Sequence, residues 1–166
     1  MDIIWQELTS GLPSSTQLKH VILRLIAAML LGAVVGVQRQ RAHKPAGLRT
    51  HILVSLGTTV FILTCSGAGM SLDGLSRVIQ GIATGIGFIG AGSILKLSHE
   101  HHIEGLTTAA GVWMTAAIGV AVGVGSLGLA LLSTFFTLIV LTLAWHHERW
   151  TEKKQAADAE SGNNQA

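Results

Sequence analysis

The sequence predicts an all-α integral membrane protein, folded as a compact bundle of about five transmembrane helices. Of its 166 residues, 49% are hydrophobic and only 12% are charged, whereas soluble domains carry roughly 25% charged residues. A soluble domain of this length needs more polar surface to cover its core. Long stretches without Asp, Glu, Lys or Arg alternate with short charged segments. This alternation is typical of helices that cross a bilayer.

Charged residues mark the limits of the predicted spans, since a membrane helix needs about 20 largely apolar residues. Residues 105–145 carry no formal charge. As one helix they would be about 60 Å long, twice the hydrocarbon thickness, so the chain must turn back at Gly-Val-Gly-Ser, residues 123–126. Arg24 interrupts the first span near one end, where a long side chain reaches the interface. The five predicted spans are 21–37, 50–69, 78–95, 106–123 and 127–145.

The distribution of basic residues predicts the orientation of the bundle in the membrane. Eight Lys and Arg residues fall on one side and three on the other. The bias predicts an outer N-terminal segment 1–20, a transmembrane domain 21–147 and a cytoplasmic polar tail 148–166. The tail composition is typical of disorder, while Trp145 and Trp150 suit the inner interface. The first residues lack a basic stretch, so we expect no cleavable signal peptide.

The glycine-rich run GIATGIGFIGAGSIL, residues 81–95, contains the spacing of a dinucleotide-binding turn. That turn requires a strand-to-helix junction in a soluble βαβ unit, which does not fit an uncharged stretch. In a membrane, small residues let helices approach closely, so we expect this span near the bundle centre. Four glycines of the run do not share one helix face. The alternative to close packing is therefore a break in the helix that forms an ion site. The glycines concerned are Gly85, Gly87, Gly90 and Gly92.

Glycine pairs four residues apart recur in two other spans. Gly32 and Gly36 form one pair in the first span, and Gly119 and Gly123 form another in the fourth. Both spacings favour close helix packing.

The most polar stretch, residues 37–51, holds Arg39, Arg41 and Arg49 around a turn at Pro45. The simplest interpretation is topological, because these charges keep the loop in the cytoplasm. The alternative is that the guanidinium groups bind lipid phosphates or an acidic partner. Composition favours the topological role.

Asp73 and Arg77 lie four residues apart at the predicted outer start of the third span. An ion pair at this spacing is mildly stabilising, and an acidic residue suits a helix N-terminus. The alternative is a structural ion pair between Asp73 and Arg24, which would explain how the first span accepts an arginine.

Histidines cluster in the loop SHEHHIEG, residues 98–105, where His99, His101 and His102 are possible zinc or nickel ligands. Adjacent histidines on a helix point apart, and a solvated loop is the simpler interpretation. Beside this loop, Thr107 or Thr108 is expected to cap the fourth span or to bond to a neighbouring helix. No catalytic triad, paired carboxylates or phosphate loop is visible, so we expect neither an enzyme nor a cofactor.

Four motifs in order resemble the MgtC/SapB family. The resemblance covers about 24–125, in the segments RLIAAMLLGAVVGVQRQ, PAGLRTHILVSLG, DGLSRVIQGIATGIGFIGAG and GLTTAAGVWMTAAIGVAVG. It implies a bacterial inner-membrane protein with about five spans, linked to growth in low magnesium and, in pathogens, to survival inside phagocytes. The family has been labelled as magnesium transporters, but in its better-studied branch it is taken to regulate other membrane proteins, including the ATP synthase.

The resemblance also implies functional positions. These are Arg39, Arg49 and Thr50 in the basic motif, Asp73 and Arg77 at the outer mouth, Gly85, Gly87, Gly90 and Gly92 in the glycine run, and Gly105, Leu106 and Thr107 at the helix start. Gln38 stands where many members have a glutamate, which puts a carboxylate-dependent role in doubt. The branch known for virulence carries a soluble C-terminal domain that is not found before Ala166.

The sequence thus predicts a modulator of other membrane proteins or of ion homeostasis, acting under low magnesium or envelope stress. A cation or small-solute transporter that uses span 78–95 is the alternative. Expected partners are membrane lipids and either another membrane protein or a second copy, without nucleic acid or nucleotide.

Overall fold

The structure, a computed structural model, describes residues 3–4, 14–96 and 103–163. Five long helices dominate these residues. They are α1 (Ser15–Arg41), α2 (Leu48–Gly67), α3 (Leu72–Gly92), α4 (Leu106–Val124) and α5 (Leu127–Asn163). Between α3 and α4, β1 (Leu95–Lys96) pairs antiparallel with β2 (Ile103–Glu104).

The prediction of an all-helical membrane bundle is confirmed. Within the described residues, α1, α2, α4 and the 127–146 part of α5 are long and apolar enough to cross a membrane. Helix α3 is not among these four, since it carries Asp73 and Arg77 in its first turns and many weakly apolar glycines. Its role as a fifth span therefore stays a prediction.

Local sequence signals explain where the helices begin and end. Ser14 accepts from the backbone N–H of Gln17 and the Gln17 side chain accepts from that of Ser14, a capping box that begins α1 ahead of predicted position 21. Gly105 and Gly125 have φ values of 96° and 97°. Only glycine adopts this left-handed conformation without strain, so these two residues fix the entry and exit of α4.

Helix α4 lies at the centre of the bundle. It buries nine residues, more than any neighbour, and contacts all four other helices. The expectation that the glycine-rich third span forms the centre is wrong, because α3 buries only Ile86 and Gly90 and packs mainly against α4. The reason is that α4 presents small and apolar residues on every side, whereas α3 is apolar on one face.

Glycines on α1 and α4 bring both helices into backbone contact with α2. A Cβ at Gly32 would lie 2.7 Å from the His51 carbonyl oxygen, and one at Gly119 would lie 2.5 Å from that of Ser55. A Cβ at Gly123 would lie 2.6 Å from Cβ of Ile62. The predicted small-residue packing of these two spans is therefore present, and it places α2 between α1 and α4.

Helix α5 continues beyond its membrane-length part to Asn163. The expectation of a disordered tail is thus wrong for residues 151–163. Alanine, glutamate, lysine and glutamine recur there, and these residues favour a helix.

The helix ends define two ends of the bundle. One end of the bundle contains the C-terminus of α1, the loop 42–47 and the start of α4, and we call it the basic end. The Arg39–Thr108 bond described below joins these elements.

Candidate functional site

A group of five buried polar side chains lies at the contact between α1, α2 and α4, and the buried Thr58 and Thr59 of α2 lie beyond it. We call this set the polar seam, and its members are Arg39, His51, Ser55, Thr108 and Thr115. Each is at most 2% exposed. Ionisable and polar groups inside a membrane bundle are costly and usually functional, so the seam is the strongest candidate site in the described chain.

Arg39 joins α1 to the first turn of α4. Its guanidinium donates a short hydrogen bond to the hydroxyl of Thr108. Arg39 also lies in the last turn of α1, where a positive charge is favoured by the helix dipole. The arginine is therefore held by two helices at the basic end of the bundle.

His51 joins α2 to the middle of α4. Its Nδ1 lies 2.7 Å from Oγ1 of Thr115, and that hydroxyl donates to the Gly111 carbonyl at 2.9 Å. A hydroxyl has one proton, so Nδ1 must carry a proton and donate to Thr115. Nε2 is buried and has no hydrogen-bond partner. The imidazole is thus positioned mainly through Nδ1, while the ring also lies close enough to the Ala46 backbone to interact with it.

Ser55 lies one helical turn beyond His51 on the same face of α2. Its hydroxyl is also buried without a partner. One turn further, Thr59 donates to the Gly119 carbonyl at 2.8 Å and so bonds α2 to α4 again. The seam therefore continues through the bundle as a line of hydroxyl groups.

The chemistry of the seam is that of a fixed hydrogen-bond network. Arg39 is its one permanent charge, and it lies close enough to His51 to act on it electrostatically. A nucleophile with an adjacent base is not formed, since the His51 contact goes to a threonine whose proton is committed to the backbone. The arrangement can hold three helices in register.

Other predicted site residues lie outside the seam. Arg49 and Thr107 are exposed at the basic end, and Thr50 is half-buried. Of the two threonines considered at the start of α4, Thr108 bonds across to a neighbouring helix, while Gly105 occupies the cap position without a side-chain bond.

The ion pair considered between Arg24 and Asp73 is not formed. Arg24 donates to the Gly123 carbonyl at 2.9 Å, at the end of α4. Asp73 instead pairs with Arg77 at 2.9 Å, and both side chains are more than 70% exposed. The unpaired carbonyls of a helix C-terminus attract cations, which explains how the first span accommodates its arginine.

The glycine run lies in an unbroken helix. Gly90 packs against Ala109 of α4, but a Cβ at Gly85, Gly87 or Gly92 would have no neighbour within 4 Å. The alternative of a helix break is therefore not observed, and most of the run faces outward.

The predicted histidine ligands His99, His101 and His102 lie outside the described residues. Within the described ranges, no group of three or more His, Cys, Asp and Glu side chains is placed to hold a metal ion.

Comparison with known proteins identifies the family. The family model described as MgtC family matches residues 25–150, which include every element of the polar seam. The chain belongs to the MgtC family. No solved structure matches it.

Three curated MgtC-family relatives illustrate the similarity. Protein SrpB of Synechococcus elongatus is 43% identical over 76% of this chain and 80% of its own length. YhiD of Escherichia coli K12, named as a candidate magnesium transporter, is 43% identical over 72% of this chain and 58% of its own. Protein MgtC of Salmonella typhimurium is 46% identical over 70% of this chain and 49% of its own. The chain thus spans about half the length of MgtC.

Sequence reasoning about this MgtC-family chain missed His51, Ser55 and Thr115. A usable signal exists in α2, where polar residues recur at helical spacing at 51, 55, 58 and 59. In a membrane span, such a polar stripe faces protein rather than lipid. Charged residues alone do not reveal this stripe, because neutral side chains do not interrupt a span.

Proposed function

We propose that the chain modulates other membrane proteins or ion homeostasis in the bacterial inner membrane, under low magnesium or envelope stress. Family membership and the apolar helices support the membrane location. The excess of basic residues at one end supports an outer N-terminus and a cytoplasmic C-terminus. The name of YhiD supports the link to magnesium.

The observation that carries the proposal is the outward face of α3. Gly81 and Gly85 have no neighbour within 4 Å, and the polar residues Gln80 and Thr84 beside them are exposed. Glycine in a helix costs roughly 0.5–1 kcal/mol relative to alanine, and an amide facing lipid is costly too. Both costs are offset when a second helix packs closely and bonds to these groups. We infer that a transmembrane helix packs on this face and that it belongs to another membrane protein, with a second copy of the chain as the alternative.

The polar seam supports this surface from behind. Thr108, which binds Arg39, is followed by Ala109, against which Gly90 of α3 packs. A change in the Arg39–Thr108 bond would therefore shift Ala109, the residue against which α3 packs. Through this connection the seam would influence the position of the outward face of α3.

Growth in magnesium-limited medium tests the proposal, with the chain expressed in a bacterium that lacks its own MgtC-family gene. We expect Gly85→Leu to abolish rescue at unchanged membrane level, because a bulky side chain prevents close approach. Gly57→Leu is the matched control, since Gly57 also has no neighbour within 4 Å but lies on α2. Equal rescue by both variants contradicts the proposal.

Photo-crosslinking identifies the partner directly. A crosslinker at Thr84 should give one adduct with another membrane protein that Gly85→Leu removes. A crosslinker at Leu131, which is also exposed but lies on α5, should not give that adduct. An adduct of twice the mass of the chain would show self-association instead and would contradict a separate partner.

Transport is the rival function. Residues 74–99 and 105–147 contain no acidic side chain, whereas protein sites for Mg²⁺ rely on carboxylates. The unbroken α3 also keeps its backbone carbonyls in helical bonds. Reconstitution into liposomes distinguishes the two, since Mg²⁺, proton or K⁺ flux that Gly87→Leu abolishes would refute the regulatory proposal.

A further inference from the structure

A groove of about 630 Å³ runs along the outside of the bundle between α1 and α5. Its volume falls within the roughly 300–1,000 Å³ typical of small-molecule sites. One wall is the face of α1 from Leu30 to Arg41, and the other is the face of α5 from Leu138 to Trp145. On α1 this face is opposite to the one that carries Arg39, so the groove is separate from the polar seam.

The length of the groove matches one leaflet of a bilayer. From Leu30 to Arg41, α1 rises about 16 Å at 1.5 Å per residue. The hydrocarbon core is about 30 Å thick, so half of it is about 15 Å. The groove therefore runs from near the membrane midplane to the basic end.

The polarity of the walls changes along this length. Leu30, Val34 and Leu138 line the inner part, and the first two are about half exposed to the surroundings of the bundle. Arg41, the last residue of α1, and Trp145 line the groove toward the basic end. Tryptophan prefers the level of the lipid head groups, and an exposed arginine there meets phosphate groups. The arrangement is apolar where acyl chains lie and cationic where a head group lies.

We propose that this groove binds one anionic phospholipid, with an acyl chain between α1 and α5 and its phosphate on Arg41. Charge complementarity selects this occupant. A zwitterionic lipid fills the apolar part equally well, but its own cation neutralises the phosphate. Basic pockets between membrane helices bind anionic head groups for this reason.

Fluorescence quenching of Trp145 tests the proposal. Trp5, Trp113 and Trp150 are replaced by phenylalanine, and the protein is placed in phosphatidylcholine nanodiscs with a few per cent of brominated phosphatidylglycerol. We expect quenching equivalent to about fivefold enrichment over the bulk fraction, the preference that one basic residue near the surface provides. Brominated phosphatidylcholine at the same fraction should show no enrichment.

Variants of the arginine separate the site from general electrostatic attraction. Arg41→Gln should abolish the enrichment, while Arg41→Lys should retain most of it. Arg49→Gln is the matched control, because Arg49 is an exposed arginine at the same end outside the groove, and it should behave as the unaltered protein. Equal enrichment in Arg41→Gln, or equal loss in Arg49→Gln, overturns the proposal.

Two further measurements identify the occupant. Val34→Phe should lower quenching by both brominated lipids, whereas Leu53→Phe, on an exposed position of α2, should not. Millimolar inorganic phosphate should leave the quenching unchanged. Displacement by inorganic phosphate would show a free-anion site and would overturn the assignment to a lipid.

Discussion

Replacing Thr115 by valine removes the partner of the His51 imidazole and keeps the shape of the side chain. His51 is fully buried, so its Nδ1–H would have neither protein nor water as an acceptor. An unsatisfied buried donor costs about 1–3 kcal/mol, and hydrogen bonds between membrane helices average about 0.6 kcal/mol with a maximum near 1.7. We therefore expect Thr115→Val to lower the free energy of unfolding by about 1–2 kcal/mol.

Thr134→Val is the matched control. Thr134 is also buried, and its hydroxyl donates only to the carbonyl of Ala130, four residues earlier on its own helix. Both substitutions remove one hydroxyl-to-backbone bond, but only Thr115→Val leaves a buried donor without an acceptor. Thr134→Val should cost less than about 0.5 kcal/mol.

Unfolding in mixed detergent–SDS micelles measures both variants. The double variant His51→Leu/Thr115→Val should recover part of the loss, because removing both partners of a buried bond is far less costly than removing one. If Thr115→Val and Thr134→Val unfold at the same SDS fraction, the assigned His51–Thr115 bond contributes nothing and the reasoning fails.

Three further predictions use the same assay. Gly119→Ala should lower the free energy of unfolding by about 1–3 kcal/mol because its Cβ would clash with α2. Gly87→Ala should raise it by up to about 1 kcal/mol because the surroundings of Gly87 are open. A change of the same sign for both variants would contradict the packing described. Arg24→Gln should cost about 1–2 kcal/mol and Asp73→Asn at most about 0.5, and the double variant should equal their sum, since coupling would require the contact that is absent. Thr108→Val should cost about 1–3 kcal/mol by taking a partner from the Arg39 guanidinium, and an unchanged unfolding midpoint would show that this bond is unimportant.

The fold class was predictable because helices that cross a membrane require long apolar stretches without charged residues. Long uncharged stretches identify α1, α2, α4 and the start of α5, and each of these predicted spans overlaps its helix, although α1 extends beyond its span at both ends. The turn at Gly125 was predictable from the length of the uncharged stretch alone. Exact helix ends were not, because caps such as Ser14 are short-range features that hydropathy does not register.

The site was only partly predictable. Arg39 and Thr108 were identified, but their direct contact joins residues far apart in the chain, and spacing carries no information on such pairs. For the glycines of α3, in contrast, close packing within the chain was predicted but is not observed. Gly85 and Gly87 have the same local pattern as Gly32 and Gly119, yet only the latter pack within the chain, because a glycine pattern indicates that a neighbour approaches without indicating which neighbour.

The one-sided attachment of α3 has a dynamic consequence. Helices α1, α2 and α4 share backbone contacts and the seam, so they should open together as one cooperative unit at high free energy. Helix α3 rests on α4 through a single face and buries few residues, which places it among the segments that separate first. In hydrogen exchange its amides should lose protection before those of the other three, and a partner that covers its glycine face should slow that exchange.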